Sequence, residues 1–132
     1  MPSNANFRIL IVDDSDFSRT NITKMLDDEG YNVIGEAANA KDAITVLRDR
    51  KAHLAIIDVV MPEVSGIELT EYIHENFDDM AVIMISSLGQ ENIIIDSIAA
   101  GASDYIQKPF NKRDFLTSVA KVLSRFEEEF SE

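Results

Sequence analysis

Residues 9–16 read Ile-Leu-Ile-Val-Asp-Asp-Ser-Asp, four apolar side chains followed at once by two carboxylates. A short apolar run that breaks directly into acid suits a strand buried on both faces and ending at a polar rim. The same pattern recurs downstream. Leu54–Asp58 is Leu-Ala-Ile-Ile-Asp, Ala81–Ile85 is followed by Ser86, and Asp104–Gln107 runs into Lys108-Pro109. Phe7–Val12 and the more polar Asn32–Ala37 bring the candidate strands to five.

Between the runs, apolar residues return at helical spacing. The stripes are Ile22, Met25, Leu26; then Ala40, Ala43, Ile44, Leu47; then Leu69, Thr70, Ile73, Phe77; then Ile95, Ile98, Ala99; and finally Phe115, Val119, Val122, Phe126. Gly30 and Gly101 stand where the first and fourth helices should stop. Strands alternating with helices predict an α/β fold, a parallel sheet covered on both faces, with Asn32–Ala37 at an edge. In such sheets the site lies beyond the carboxyl ends of the strands, where strand order reverses.

Composition narrows the function. The 132 residues are 45% apolar and 27% charged, and 12 basic against 24 acidic residues give a net charge of -12. That surface repels nucleic acid and anionic lipid, so neither nucleic acid nor membrane is expected as a partner; a cation or a basic protein face is favoured. There is no cysteine, which removes disulfide and thiolate chemistry. The opening MPSNAN has no secretory character. No run approaches the ~20 apolar residues that span a bilayer. One cytoplasmic domain filling residues 1–132 is the expectation.

Five polar residues fall on the predicted strand ends: Asp13, Asp14, Asp58, Ser86 and Lys108. A single strand-end aspartate is usually a cap or a turn residue. Five converging positions are poorly explained that way. Like charges ~4 Å apart repel by about 4 kcal/mol at an effective dielectric near 20, so packed carboxylates need protons or a cation. All-oxygen ligands suit Mg²⁺, a carboxylate can serve as nucleophile, and an ammonium can offset charge on a transferring phosphoryl group.

At these residues the chain resembles the receiver domains of bacterial two-component response regulators. The match rests on Asp13-Asp14, Asp58, Ser86, Lys108-Pro109 and the Met61–Gly66 stretch MPEVSG, and it extends over residues 7–126. The resemblance implies a flavodoxin-like sheet of order 2-1-3-4-5 flanked by five helices, a doubly wound order of which a chemotaxis regulator of this family is a familiar example. It also implies roles. Asp58 would accept the phosphoryl group; Asp13, Asp14, Asp58 and the Val60 carbonyl would serve Mg²⁺, Asp13 mainly through water. Lys108 would contact the phosphoryl group, Ser86 would hydrogen-bond it, and Tyr105 would turn inward as Ser86 moves. A cis Lys108-Pro109 bond and a crowded Gly66 are expected. The implied donor is a sensor histidine kinase or a histidine phosphotransfer protein, and the implied output face comprises the fourth helix, fifth strand and fifth helix. Such a protein switches rather than turns over a metabolite.

Some positions carry their own expectations. Val60 and Leu88 cannot orient an attacking water, which predicts a fairly long-lived phosphoryl state. Three successive isoleucines, Ile93–Ile95, cannot all face the sheet at about 100° per residue, and with Ile95, Ile98 and Ala99 inward, Ile93 is expected outward. His53 and His74 are expected at the surface, and the ending FEEEFSE as a solvated helix end. One rival deserves weighing: Asp14–Ser18 resembles the first motif of haloacid-dehalogenase-type phosphatases. No acidic pair follows Lys108, however, and that reading leaves Asp13 and Asp58 unused. No phosphate-binding glycine motif is present.

Overall fold

Every residue of Leu54–Asp58 is buried in the computed structural model, which describes residues 3–130. This run is strand β3, the middle of a five-stranded parallel sheet of order β2-β1-β3-β4-β5. The others are β1 (Arg8–Val12), β2 (Asn32–Ala37), β4 (Ala81–Ser86) and β5 (Asp104–Gln107). Five helices connect and cover them: α1 (Asp16–Asp28), α2 (Ala40–Asp49), α3 (Gly66–Asn76), α4 (Glu91–Ala99) and α5 (Lys112–Leu123). The chain leaves β1 for the β2 edge and then returns to the other side of β1 as β3, so strand order reverses between β1 and β3.

Alternation along the strands divides the core in two. Ile9, Ile11, Ile56, Ile83 and Ile85 face α1 and α5 and pack with Ile22, Leu26, Phe115 and Val119. Leu10, Val12, Ala55, Ile57, Val82 and Met84 form the second cluster with Ala43, Leu47, Leu69 and Ile73 of α2 and α3. The predicted edge strand β2 is only partly buried, with the pattern expected of a rim. Gly30 and Gly101 follow α1 and α4 with φ of +83° and +119°, the left-handed backbone that lets a chain leave a helix without a Cβ clash.

Four helices start on the same device. The side chains of Ser15, Asn39, Ser65 and Asn111 accept the N–H of Ser18, Asp42, Glu68 and Asp114 at 3.2, 2.9, 3.1 and 2.7 Å. Each such cap stabilises its helix by about 1 kcal/mol. Helix α4 has none; Gln90 precedes it without a side-chain cap.

The fold corrects three expectations. On α4 the inward side is Ser97 and Ala100 with Ile93 half-buried, while Ile95 and Ile98 are 56% and 47% exposed. His53 is fully buried: its Nδ1 accepts the Arg8 N–H at 3.0 Å and its Nε2 lies 2.9 Å from Glu129 Oε2. That hydrogen bond holds the exposed Glu129 carboxyl below its ordinary value. The two phenylalanines of the acidic ending are docked, while Glu127, Glu128 and Glu129 between them stay exposed. Ser124–Phe130 forms a 3-10 turn that buries Phe126, and Phe130 meets the rings of Phe7 and His53 edge-on at 5.4 and 5.6 Å. Ser131 and Glu132 lie outside the described residues. Phe126→Ala should therefore lower stability by about 3–4 kcal/mol, as for a core phenylalanine, read from urea unfolding; a solvated phenylalanine would cost almost nothing.

Candidate functional site

The carboxyl ends of β1 and β3 lie side by side at the reversal, and each delivers an aspartate. Asp13 follows Val12 and is fully buried; Asp58 closes β3 and is nearly so; Asp14 is exposed. One carboxylate oxygen from each of the three falls within 4.8 Å of the others. Lys108 reaches in from the end of β5, and its bond to Pro109 is cis, as the resemblance implies. Its ammonium donates to Asp58 Oδ2 at 2.8 Å and to Asp13 Oδ2 at 3.0 Å.

The remaining oxygens are also served. Asp58 Oδ1 accepts the Val60 N–H at 2.9 Å, and Asp13 Oδ1 accepts the Ser15 N–H at 2.9 Å. Charge and burial then pull in opposite directions. Burial pushes the Asp58 carboxyl above its ordinary value, only partly offset by Lys108 and Val60. Burial acts the same way on Asp13, yet hydrogen bonds from Ser15, Ser18 and Lys108 outweigh it and hold that carboxyl low. The two share one ammonium but part in direction because Asp13 has more donors. For Lys108, burial favours the neutral amine, and the paired carboxylates overcome it and raise its value.

Ser86 is buried at the end of β4, and its hydroxyl accepts the Leu88 N–H at 3.1 Å. The Tyr105 hydroxyl donates to the Leu88 carbonyl, so strand β5 and the β4–α4 loop are tied at one residue. The Lys108 N–H closes the same corner on the Ser86 carbonyl at 2.8 Å. Val60 is 55% exposed beside Asp58. Gly66 opens α3 directly against β3: a Cβ there would stand 2.1 Å from the Asp58 carbonyl oxygen. The sequence reading missed Ser18 and Arg19. Ser18 helps hold the Asp13 carboxyl low, and Arg19 Nη1 donates to the Asp13 carbonyl at 2.5 Å. Only their place on the first turns of α1, over the end of β1, could have pointed to them.

The chemistry open to this arrangement is narrow. Three oxygen donors without nitrogen or sulfur fit a small hard cation that keeps part of its water, and a buried carboxylate is set beside a fixed positive charge. Residues 9–120 match the family described as "Response regulator receiver domain". "Chemotaxis protein CheY" of Bacillus subtilis (strain 168) is 38% identical over 117 residues, 89% of this chain and 98% of that protein. The CheY-like receiver domain protein from Methanospirillum hungatei JF-1 superposes with a TM-score of 0.86 at 33% identity, covering 93% of this chain and 98% of that one. A CheX–CheY–BeF3–Mg²⁺ complex from Borrelia burgdorferi superposes at 0.77 with 34% identity, covering 96% and 90%. The chain belongs to the response regulator receiver family. Its acidic cluster is the kind found in phosphoaccepting regulators, and the protein is a signalling phosphoacceptor rather than an enzyme of metabolism. Among the described residues no helix is long and apolar enough to cross a membrane.

Proposed function

We propose that Asp58 accepts a phosphoryl group from a phosphohistidine of a sensor kinase or phosphotransfer protein, in a reaction that requires Mg²⁺, within the cytoplasm. The observation that carries this reading is the 2.8 Å contact of Lys108 with Asp58 inside a three-carboxylate cluster. Asp13, Asp14, Asp58 and the Val60 carbonyl would hold the ion, and the related Borrelia burgdorferi complex contains Mg²⁺. Bound there, Mg²⁺ would offset the charge of the phosphoryl oxygens. Asp58 supplies the nucleophilic oxygen, and the Val60 N–H steadies its partner oxygen. Lys108 stays beside the oxygens that gain charge in the transfer.

Access is available next to Lys108. An open groove of about 420 Å³ is lined by Phe17, Ser18, Asn21, Ser87, Pro109 and Phe110, and Phe17 is 81% exposed. A donor protein seated there would present its phosphohistidine to Asp58. After transfer, Ser86 would leave the Leu88 N–H for a phosphoryl oxygen, and the corner built on Leu88 and Tyr105 would shift with it. The uncapped α4, with Ile95 and Ile98 outward, supplies with β5 and α5 the face that a target protein would read.

Incubation with Mg²⁺ and acetyl phosphate should add one phosphoryl group by intact mass, mapping to Asp58; a chelator should prevent it. Uptake at another residue would remove this reading. The lifetime is a separate prediction. Introducing hydrogen-bonding groups in Val60→Asn/Leu88→Glu should speed loss of the phosphoryl group about fivefold, since one water-orienting hydrogen bond contributes about 1 kcal/mol. Slower loss in that variant would refute it.

A further inference from the structure

We propose that Arg19 is a positioning residue of this site, acting through the peptide unit that joins Asp13 to Asp14; the proposal rests on the phosphoacceptor reading above. The Arg19 side chain is only 14% exposed, and its Nη1 donates to the Asp13 carbonyl oxygen at 2.5 Å. That oxygen belongs to a planar amide whose other end is the nitrogen of Asp14. Holding the plane sets one backbone dihedral of each residue, so a single guanidinium contact fixes the direction in which two of the three clustered carboxylates leave the chain. The opposite end of Asp13 is tied as well, its N–H donating to the Ala37 carbonyl at 3.0 Å.

Arg19 acts here by geometry rather than by neutralisation. Its charge is already met by Asp16, bonded to Nη2, and by Glu36 Oε1 at 3.4 Å from Nε. The Asp13 carboxylate draws its donors from Ser15, Ser18 and Lys108 instead. The guanidinium therefore faces three ways at once, to the first turn of α1, the edge strand β2 and the end of β1. A planar fork can do this and the point charge of a lysine cannot. Outer groups that orient metal-binding side chains typically change metal affinity by about 10–100-fold when removed.

The competing account is that Arg19 merely staples α1 to β2. Calorimetric Mg²⁺ titrations of wild type, Arg19→Ala, Arg19→Lys and Glu36→Gln separate the two, with urea unfolding of each variant and amide NMR spectra of the metal-free proteins alongside. Arg19→Ala should weaken Mg²⁺ binding about tenfold or more and Arg19→Lys by less. Glu36→Gln, which removes the charge pairing of the staple but leaves the carbonyl contact, should stay within about twofold, as for a partly exposed ion pair. The metal-free Asp14 and Ser15 amide resonances should move in Arg19→Ala and hold in Glu36→Gln. Unchanged Mg²⁺ affinity in a folded Arg19→Ala, or an equal loss in Glu36→Gln, overturns the proposal. A wild type that takes up no Mg²⁺ sinks the metal reading instead; Arg19 is then judged on the resonances, and still ones in Arg19→Ala overturn it.

Discussion

Asp58→Asn should take up no phosphoryl group from acetyl phosphate and Mg²⁺, and in chelator it should unfold at a higher urea concentration than the wild type. The first effect follows from chemistry, because an amide lacks the anionic oxygen that attacks. The second follows from the site's electrostatics. Burial holds the Asp58 carboxyl above its ordinary value, so the folded state binds that proton more tightly than the unfolded chain does. The stability this contributes is full below the unfolded value and lost as pH rises through the folded one. At neutral pH the ionised Asp58 is therefore a net cost to the fold, and the isosteric amide removes it. The advantage should shrink as pH falls through the carboxylate range. An adduct on the variant would show that another residue accepts phosphate, and a lower midpoint at neutral pH would show that Lys108 fully compensates Asp58.

Gly66→Ala should cost about 3 kcal/mol, the upper end of ordinary overpacking. With a urea slope of about 2 kcal/mol per molar, the midpoint falls by about 1.5 M. The added methyl would lie 2.1 Å from the Asp58 carbonyl oxygen, 2.8 Å from its carbonyl carbon and 2.9 Å from the Val59 Cα. All three are backbone atoms of the segment that carries the proposed nucleophile. The Gly66 N–H also bonds the Val59 carbonyl at 2.8 Å, so α3 cannot retreat without losing that contact. Phosphoryl uptake should slow even in the folded fraction. Gly89 is the control. The three atoms nearest a Cβ there all belong to the Gln107 side chain, the first at 2.5 Å, and a flexible amide can swing aside. Gly89→Ala should stay within about 0.5 kcal/mol of wild type. Equal losses in both variants would mean that crowding against Asp58 is not the cause.

Four of the five strand ends were legible because the run ends where apolar residues meet acid, hydroxyl or lysine; Asn32–Ala37, which runs on into Ala38, was legible only from its place between two helical stripes. Asn32–Ala37, Leu54–Asp58 and Asp104–Gln107 stand as read, and the site followed from the ends of the other two strands as well. Helix α4 was misread because small residues are silent in a hydrophobic pattern. Ser97 faces inward, fully buried, and its hydroxyl is satisfied by the Ile93 carbonyl at 2.8 Å. His53 and the tail failed for a different reason. Glu129 is 76 residues from His53, and no local spacing announces a contact of that range. Arg19 was equally hidden, because its target is a backbone carbonyl, which every residue carries.

The three aspartates would not meet an incoming cation on equal terms. Asp13 is fastened at its N–H, its carbonyl and both carboxylate oxygens, and Asp58 at both of its carboxylate oxygens. Asp14 is exposed, with its carboxylate outside these contacts. The entropy lost on capture would thus fall chiefly on one short side chain, about 1 kcal/mol. Two of the three clustered carboxylates are already held by hydrogen bonds, so an ion taken up there would call for little slow rearrangement of the backbone.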